Sequence, residues 1–444
     1  MSTIAAIATA SGGAIGVIRV SGDDAIATVS SIFSKDLSAV SPNTVVFGEI
    51  RNDSGEVLDE VLVSVFRAPH SYTGEDSVEI SCHGSRYILN GVLELLIGHG
   101  AAQAGPGEFT MRAFMNGKMD LSRAEAVADV IAAENRAAHR VAMNQLKGGF
   151  ASKLALLRER LLKITSLLEL ELDFSDHEEL EFADRSELRA LAAEISRHIE
   201  NLILSYRSGQ AIKTGIPVAI VGKTNVGKST LLNVLLGDDR AIVSDIHGTT
   251  RDIIEDTVLI RDVLFRFIDT AGFRDTADAV EQIGIERARQ KMMQAQIVLW
   301  LIDGEPSAGE LSAMRSDCAD KHLIIVANKS DLSPTPPPSA DIAISAKNAV
   351  NISLLYDALI AAAAIPEIGA CDLIVTNARH YEALRRAADA MSRVNDAFAL
   401  GLSGDLIAED LRDCIRHLGT IVAKGEITGQ ETLNNIFSHF CVGK

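Results

Sequence analysis

The sequence predicts a multidomain protein: an α+β domain comes first, and an all-α domain interrupted by an inserted α/β domain follows. Three observations predict it. Residues 1–118 alternate short β-like runs (TIAAIAT, IGVIRV, EVLVSVF, SVEISCH) with helical ones. From residue 119 apolar side chains recur at spacings of three and four through LALLRERLLKITSLLELEL, and helical periodicity resumes near 376 and continues almost to the end. Between these stretches, apolar strand-like runs end in glycine-rich or polar turns, as in a parallel sheet.

The expected boundaries are 1–118 for the N-terminal domain, 119–212 and 369–444 for the two parts of the helical domain, and 213–368 for the insertion. Insertion is tolerated because domain termini often lie close together. Ser122 and Glu125 have capping-box spacing at the start of the first helical part. The acidic run DFSDHEELEF reads as a solvated helix connection, since its carboxylates lack cation-loop spacing.

Composition narrows the function classes. The 444 residues fit about three domains. Apolar content of 47% with 5% aromatic is that of a helix-rich globular chain. Residues 1–18 are uncharged but lack a positive n-region, and no apolar run reaches the length of a membrane span, so a cytoplasmic protein is expected. Against 42 Lys plus Arg stand 60 Asp plus Glu, a net charge of -18, which excludes a general nucleic-acid coat but not a local RNA site. Five scattered cysteines (82, 318, 371, 414, 441) form neither a disulfide framework nor a zinc pattern. The ending FCVGK is a poor prenylation signal, with Gly443 third, Lys444 last and no polybasic run before it.

The insertion carries the chemistry. IPVAIVGKTNVGKSTLLNVLL places G-x-x-x-x-G-K-S at Gly222–Ser229 between a strand and a helix. Its glycines let backbone N–H groups approach a triphosphate, Lys228 reaches the outer phosphates, and Ser229 can hold Mg²⁺. Downstream, GTTRD supplies Thr250 as a second Mg²⁺ ligand, and a strand pair across Arg261-Asp262 delivers DTAG, where Asp269 can hold the metal's water shell and Gly272 the γ-phosphate. LIIVANKSD then brings Asn328, Lys329 and Asp331, and SAK follows at 345–347. Asp331 can accept from both N1–H and the 2-amino group of guanine, so the nucleotide is GTP. The expected contacts are Asn225, Val226, Gly227, Lys228, Ser229 and Thr230 in the loop and Ser244, Asp245, Ile246, His247, Gly248, Thr249 and Thr250 in the first switch. Asp269, Thr270, Ala271 and Gly272 follow, then Asn328, Lys329, Ser330 and Asp331, and finally Ser345, Ala346 and Lys347. Phe273 stands where many such switches carry a water-positioning Gln.

These motifs, together with GVIRVSG, PHSYTGEDSVEISCHG, PGEFTMRAFMNGKMDLSRAEAVADVI, VEQIGIERA, TNARHYEAL and GEITGQETLNNIFSHFCVGK, resemble the MnmE (TrmE) family of tRNA-modification GTPases over essentially the whole chain. Departures are small: Thr224 in place of Pro, Val442 in place of Ile, and an N-terminal turn, ASGGA, without the usual Pro and Arg. The resemblance implies a K⁺ ion in place of an arginine finger, held by Asn225, Ser244, Ile246 and Thr249, and a water-orienting Glu281 that fills the gap left by Phe273. It implies a folate-binding-like first domain that takes a tetrahydrofolate derivative (5,10-methylene or 5-formyl) through Arg19, Glu79, Lys118 and Lys444. Glu79 could read a pterin edge as Asp331 reads guanine, and three cations suit a carboxylate-bearing tail.

The resemblance further implies a homodimer acting with an FAD-binding partner, MnmG (GidA), in which the flavin belongs to the partner. Together they place an aminomethyl or carboxymethylaminomethyl group at C5 of the wobble uridine of certain tRNAs. The tail is expected to fold back toward the folate; whether Cys441 attacks covalently or only packs is open. An RNA-binding ribosome-assembly or stress-response GTPase would share the switch motifs. It would lack the first-domain and terminal motifs and would normally carry a basic RNA-binding module, which is not found.

Overall fold

The computed structural model describes residues 2–10, 12–173, 185–237, 256–268, 292–333, 335–364, 373–422, 437, 440 and 443. The chain divides into two compact units, Met1–Ala132 with Ala142–Ile199 and Glu382–Lys444, and Ala133–Val141 with Glu200–Tyr381.

The first unit opens with β1 (Ile4–Ile7), β2 (Ile15–Ser21), α1 (Ala25–Ile32), β3 (Thr44–Arg51), β4 (Val57–Phe66), β5 (Ser77–His83), α2 (Arg86–Gly98), β6 (Ala102–Gln103) and α3 (Glu108–Met115). The strands form one sheet in the order β3-β4-β5-β2-β1-β6, antiparallel except for β1 with β6. Side chains alternate across it. Ile18, Val20, Ile50, Val61, Val63, Val78 and Ile80 point to one face and bury against α1 and α2 through Val29, Ile32, Leu89, Val92 and Leu96. On the opposite face Phe109 of α3 covers Ile4, Ala6 and Ala104. That cover ends before the β3–β4 edge, where Val45, Phe47 and Leu62 are 57%, 56% and 47% exposed. The outward apolar residues of β3 face away from the core.

The helices α4 (Leu121–Ile131), α5 (Arg136–Leu146), α6 (Gly149–Asp173) and α7 (Arg185–Thr214) follow. The expected cap at Ser122 is corrected by the structure. Asp120 is the N-cap of α4: its carboxylate accepts from Arg123 N at 3.0 Å and from Ser122 Oγ at 2.6 Å, so Ser122 is already helical. In α6, Leu154, Leu157, Leu161, Ile164 and Leu168 are buried at spacings of three and four. They form the stripe that packs against the helix Gly404–Ile421. Near the end of the chain Phe437 and Phe440 bury against Phe114, Leu121 and Ala124. Gly443, at φ 95°, lies so close to β1 that a Cβ would stand 2.5 Å from Ile7 O.

The second unit holds β7 (Ile216–Gly222), α8 (Lys228–Leu236), β8 (Asp256–Ile260), β9 (Val263–Phe267), β10 (Ile297–Ile302), α9 (Ala308–Asp317), β11 (His322–Ala327), β12 (Ile342–Ala343) and α10 (Ile352–Ala363). Its sheet runs β12-β11-β10-β7-β9-β8 and is parallel except for the β8–β9 hairpin. Arg261 and Asp262 turn that hairpin with φ of 48° and 66°, the left-handed pair that a two-residue connection requires. All six residues of β10 are buried, as expected of a strand covered on both faces. At the start of α11 (Ala378–Leu400), Tyr381 stacks on Tyr206 of α7 at 4.3 Å. Gly209 lets α7 approach the segment before α11, since a Cβ there would be 2.1 Å from Val375 O. The helix Gly404–Ile421 is α12. Among the described residues no helix is long and apolar enough to cross a membrane.

Candidate functional site

The phosphate loop springs from the end of β7. Gly222 lies against the neighbouring strand, where a Cβ would be 2.4 Å from Leu301 O. Asn225 takes φ 61° and is exposed, which offers its amide to a ligand above the loop. Gly227 begins α8 at φ 99°, and a Cβ there would strike Asn328 Nδ2 at 2.3 Å. Only glycine therefore serves at that position. Val226 is buried beneath the loop, while Ser229 and Thr230 are exposed on the first turn of α8. Lys228 Nζ donates to Gly222 O (2.8 Å) and Lys223 O (2.7 Å), which keeps the ammonium across the loop.

Asn328 assembles the site. Its Nδ2 donates to Val226 O (2.8 Å) and its Oδ1 accepts from Ala346 N (3.0 Å), so one side chain joins the phosphate loop, the NKSD turn and the SAK turn. Ser345 Oγ donates to Asp331 Oδ1 at 2.6 Å, and this bond holds the Asp331 carboxyl below the usual carboxylate range. Asp331 is thus an oriented, ionised acceptor, as guanine requires. Lys329 turns at φ 63° and pairs with Asp303 at 2.9 Å, while Ser330 N donates to Ile344 O and Lys347 is exposed. No motif announces Asp303, which reaches Lys329 only through the β10–β11 pairing.

Several expected residues lie outside the described residues: Ser244–Thr250 of the first switch, Asp269–Gly272 with Phe273, Glu281, Cys441 and Lys444. Three cysteines are described and all are buried. Burial pushes Cys82 up to about 11 and Cys414 to about 12, and raises Cys318, which leaves these thiols protonated and unreactive.

In the first unit, Arg19 and Glu79 face each other across β2 and β5, with Arg19 Nε donating to Glu79 Oε1 at 2.9 Å. The guanidinium lies 5.3 Å from the Tyr72 ring centroid and 5.6 Å from that of Phe109. Both distances are within cation–π range. Neither ring was expected at this site. Helix α3 and the residues after it fix the loop that carries Tyr72. Thr110 Oγ1 bonds Tyr72 OH (2.8 Å), Asn116 Nδ2 donates to Thr73 O (2.8 Å), and Lys118 Nζ donates to Pro69 O (2.7 Å). Buried Arg112 donates to Glu75 at 3.2 Å and Glu108 at 2.9 Å, and Ser21 Oγ completes Glu75 at 2.8 Å. The structure therefore brings Arg19, Glu79 and Lys118 around one fixed loop. Gly443 sits against Ile7, whose strand pairs Ala6 with Arg19.

A family described as the MnmE helical domain matches residues 121–441, and one described as the GTP-binding protein TrmE N-terminus matches residues 3–118. The tRNA modification GTPases MnmE of Phocaeicola vulgatus and Bacteroides fragilis are 52% and 54% identical to this chain, covering all of it and 99% of their own lengths. That of Parabacteroides distasonis is 53% identical over the full length of both chains. This chain belongs to the MnmE family. It is a tRNA modification GTPase with a TrmE-type N-terminal domain, an MnmE-type helical domain and a P-loop GTPase domain. Among solved structures, Era of Aquifex aeolicus bound to GDP and aluminium fluoride aligns over 40% of this chain and 66% of its own. Its sequence identity is 26% and its TM-score 0.24.

Proposed function

We propose that this MnmE-family chain is a K⁺-dependent GTPase that, with an FAD-binding partner, forms the 5-aminomethyl or 5-carboxymethylaminomethyl group on wobble uridine from a tetrahydrofolate one-carbon unit. The observation that carries the reading is the pairing, in one chain, of the Asn328-linked nucleotide loops with an Arg19–Glu79 site that has the Tyr72 ring beside Arg19 and the buried Phe109 ring behind it. A pterin is planar and presents a donor edge. A carboxylate beside the partly exposed Tyr72 ring, and Lys118 for the glutamate tail, fit that chemistry.

At the nucleotide, Lys228 stabilises the outer phosphates and Ser229, with Thr250 and a water on Asp269, would hold Mg²⁺. Asn225, Ser244, Ile246 and Thr249 would supply amide, hydroxyl and carbonyl oxygens to K⁺, donors that suit a hard cation. A bound K⁺ adds positive charge where negative charge develops on the transferred phosphoryl group. Glu281 orients the attacking water. Glu281→Ala is therefore expected to lower kcat for GTP while leaving nucleotide affinity nearly unchanged, because the interaction belongs to the transition state. A large loss of affinity for a non-hydrolysable GTP analogue would mean that the residue is structural instead.

The bare half of the N-terminal sheet supports a permanent homodimer. Val45, Phe47 and Leu62 are exposed on the same face as Arg19 and Glu79, and Phe47 pairs directly with Leu62. A second copy of the chain is the occupant proposed for this face. Sedimentation should give a dimer with GDP, with a GTP analogue and without nucleotide, and Phe47→Glu should give a folded monomer. A wild-type monomer at micromolar concentration would refute this arrangement. A second contact, between GTPase domains, is expected only with K⁺ and a transition-state mimic.

A further inference from the structure

We infer that Asp303, on the turn from β10 into α9, and Glu310, in the first turn of α9, are positioning residues that slow nucleotide release by holding the two lysines that flank the nucleotide. The inference rests on reading Gly222–Ser229 and Asn328–Asp331 as the nucleotide site.

Lys223 of the phosphate loop lies 2.8 Å from Glu310 Oε1. Glu310 is not a mobile surface acid. Its Oε2 accepts from both Ser307 N and Ser307 Oγ at 2.9 Å, a capping box that fixes the carboxylate to the start of α9. The Lys223 ammonium, followed by the Ser307 bonds, draws the Glu310 carboxyl down to about 2, so it is ionised at any working pH. At the other end of the turn Asp303 Oδ2 holds Lys329 Nζ at 2.9 Å, bracing the left-handed residue of the NKSD motif. Between them Glu305 accepts from Ser339 Oγ at 3.0 Å, tying the turn to the segment before β12. One short stretch after β10 therefore braces the phosphate loop, the base-reading turn and the sheet edge.

Holding the phosphate loop and the base-reading turn fixed to each other keeps both ends of a bound nucleotide gripped at once. The Asn328 bonds hold them together from beneath, and the 303–310 turn holds them from outside. Both ion pairs are partly exposed, Lys223 at 75% and Glu310 at 42%, Lys329 at 36% and Asp303 at 45%. Their effect is therefore modest and salt-sensitive.

Stopped-flow release of a fluorescent mant-GDP, chased with excess GDP, tests this in the full-length protein. Asp303→Asn and Glu310→Gln should each speed release about two- to fivefold, the range that exposed ion pairs support. Asp303→Glu, which keeps the charge, should fall between wild type and Asp303→Asn. Wild-type release should also quicken as tetramethylammonium chloride screens the pairs, while the double variant should respond less. A purely structural role would not produce that difference. If wild type binds mant-GDP but both variants release it at the wild-type rate, or the salt responses are equal, the inference is overturned and the nucleotide site stands. If wild type does not bind mant-GDP, the reading of the site falls and the inference with it.

Discussion

GTP hydrolysis by this chain is expected to run at least about tenfold faster in K⁺ than in Na⁺ at equal ionic strength, which corresponds to about 1.4 kcal/mol off the barrier. Phe273 takes the place of a water-positioning Gln, and the proposed machinery has no arginine finger. In the proposed function a bound K⁺ adds to the positive charge of Lys228 where negative charge develops. Asn225 is exposed on the phosphate loop in a left-handed conformation, next to the residues that receive the triphosphate. Asn225→Ala should remove the difference between the two salts. Equal wild-type rates in K⁺ and Na⁺ would contradict the cation reading outright.

Deleting residues 441–444 is expected to abolish wobble-uridine modification while leaving K⁺-stimulated GTP hydrolysis within about twofold of wild type, a difference of under 0.5 kcal/mol in barrier. The proposed function places the two activities on different parts of the chain. The nucleotide residues run from Ile216 to Lys347, whereas Gly443 lies against Ile7 in the sheet that carries Arg19 and Glu79. The aromatic anchor formed by Phe437 and Phe440 stays intact in the truncated chain, so folding should be preserved. Cys441→Ser then separates two roles: a nucleophilic thiol would lose nearly all modification, and a packed one would lose little. Normal modification by the truncated protein would mean that the tail plays no part in the chemistry.

The sequence made the nucleotide loops legible because each is a local solution to a local problem. Gly227 must avoid Asn328, and Asn328 must reach Val226, so the residue types announce the geometry. The hairpin turn at Arg261-Asp262 was readable for the same reason. What joins distant segments was not. Asp303 and Glu310 look like ordinary turn and helix-start acids until β10 sets them beside Lys329 and Lys223. Tyr72 and Phe109 read as a loop aromatic and a core aromatic, although both face Arg19. The buried Arg112–Glu75 pair was equally silent, since a single charge in a helix pattern does not reveal a carboxylate 37 positions earlier. At α4, Asp120 and Ser122 were both able to cap, and backbone conformation rather than residue type decided for Asp120.

The most direct test of the central claim is nucleoside analysis, by liquid chromatography and mass spectrometry, of tRNA from a strain that lacks this gene and carries it again on a plasmid. The account predicts that the C5-aminomethyl or carboxymethylaminomethyl uridines disappear on deletion. They should return with the wild-type gene, and should stay absent with Arg19→Ala even though that variant hydrolyses GTP normally. Unchanged C5-substituted uridine in the deletion strain would contradict the account.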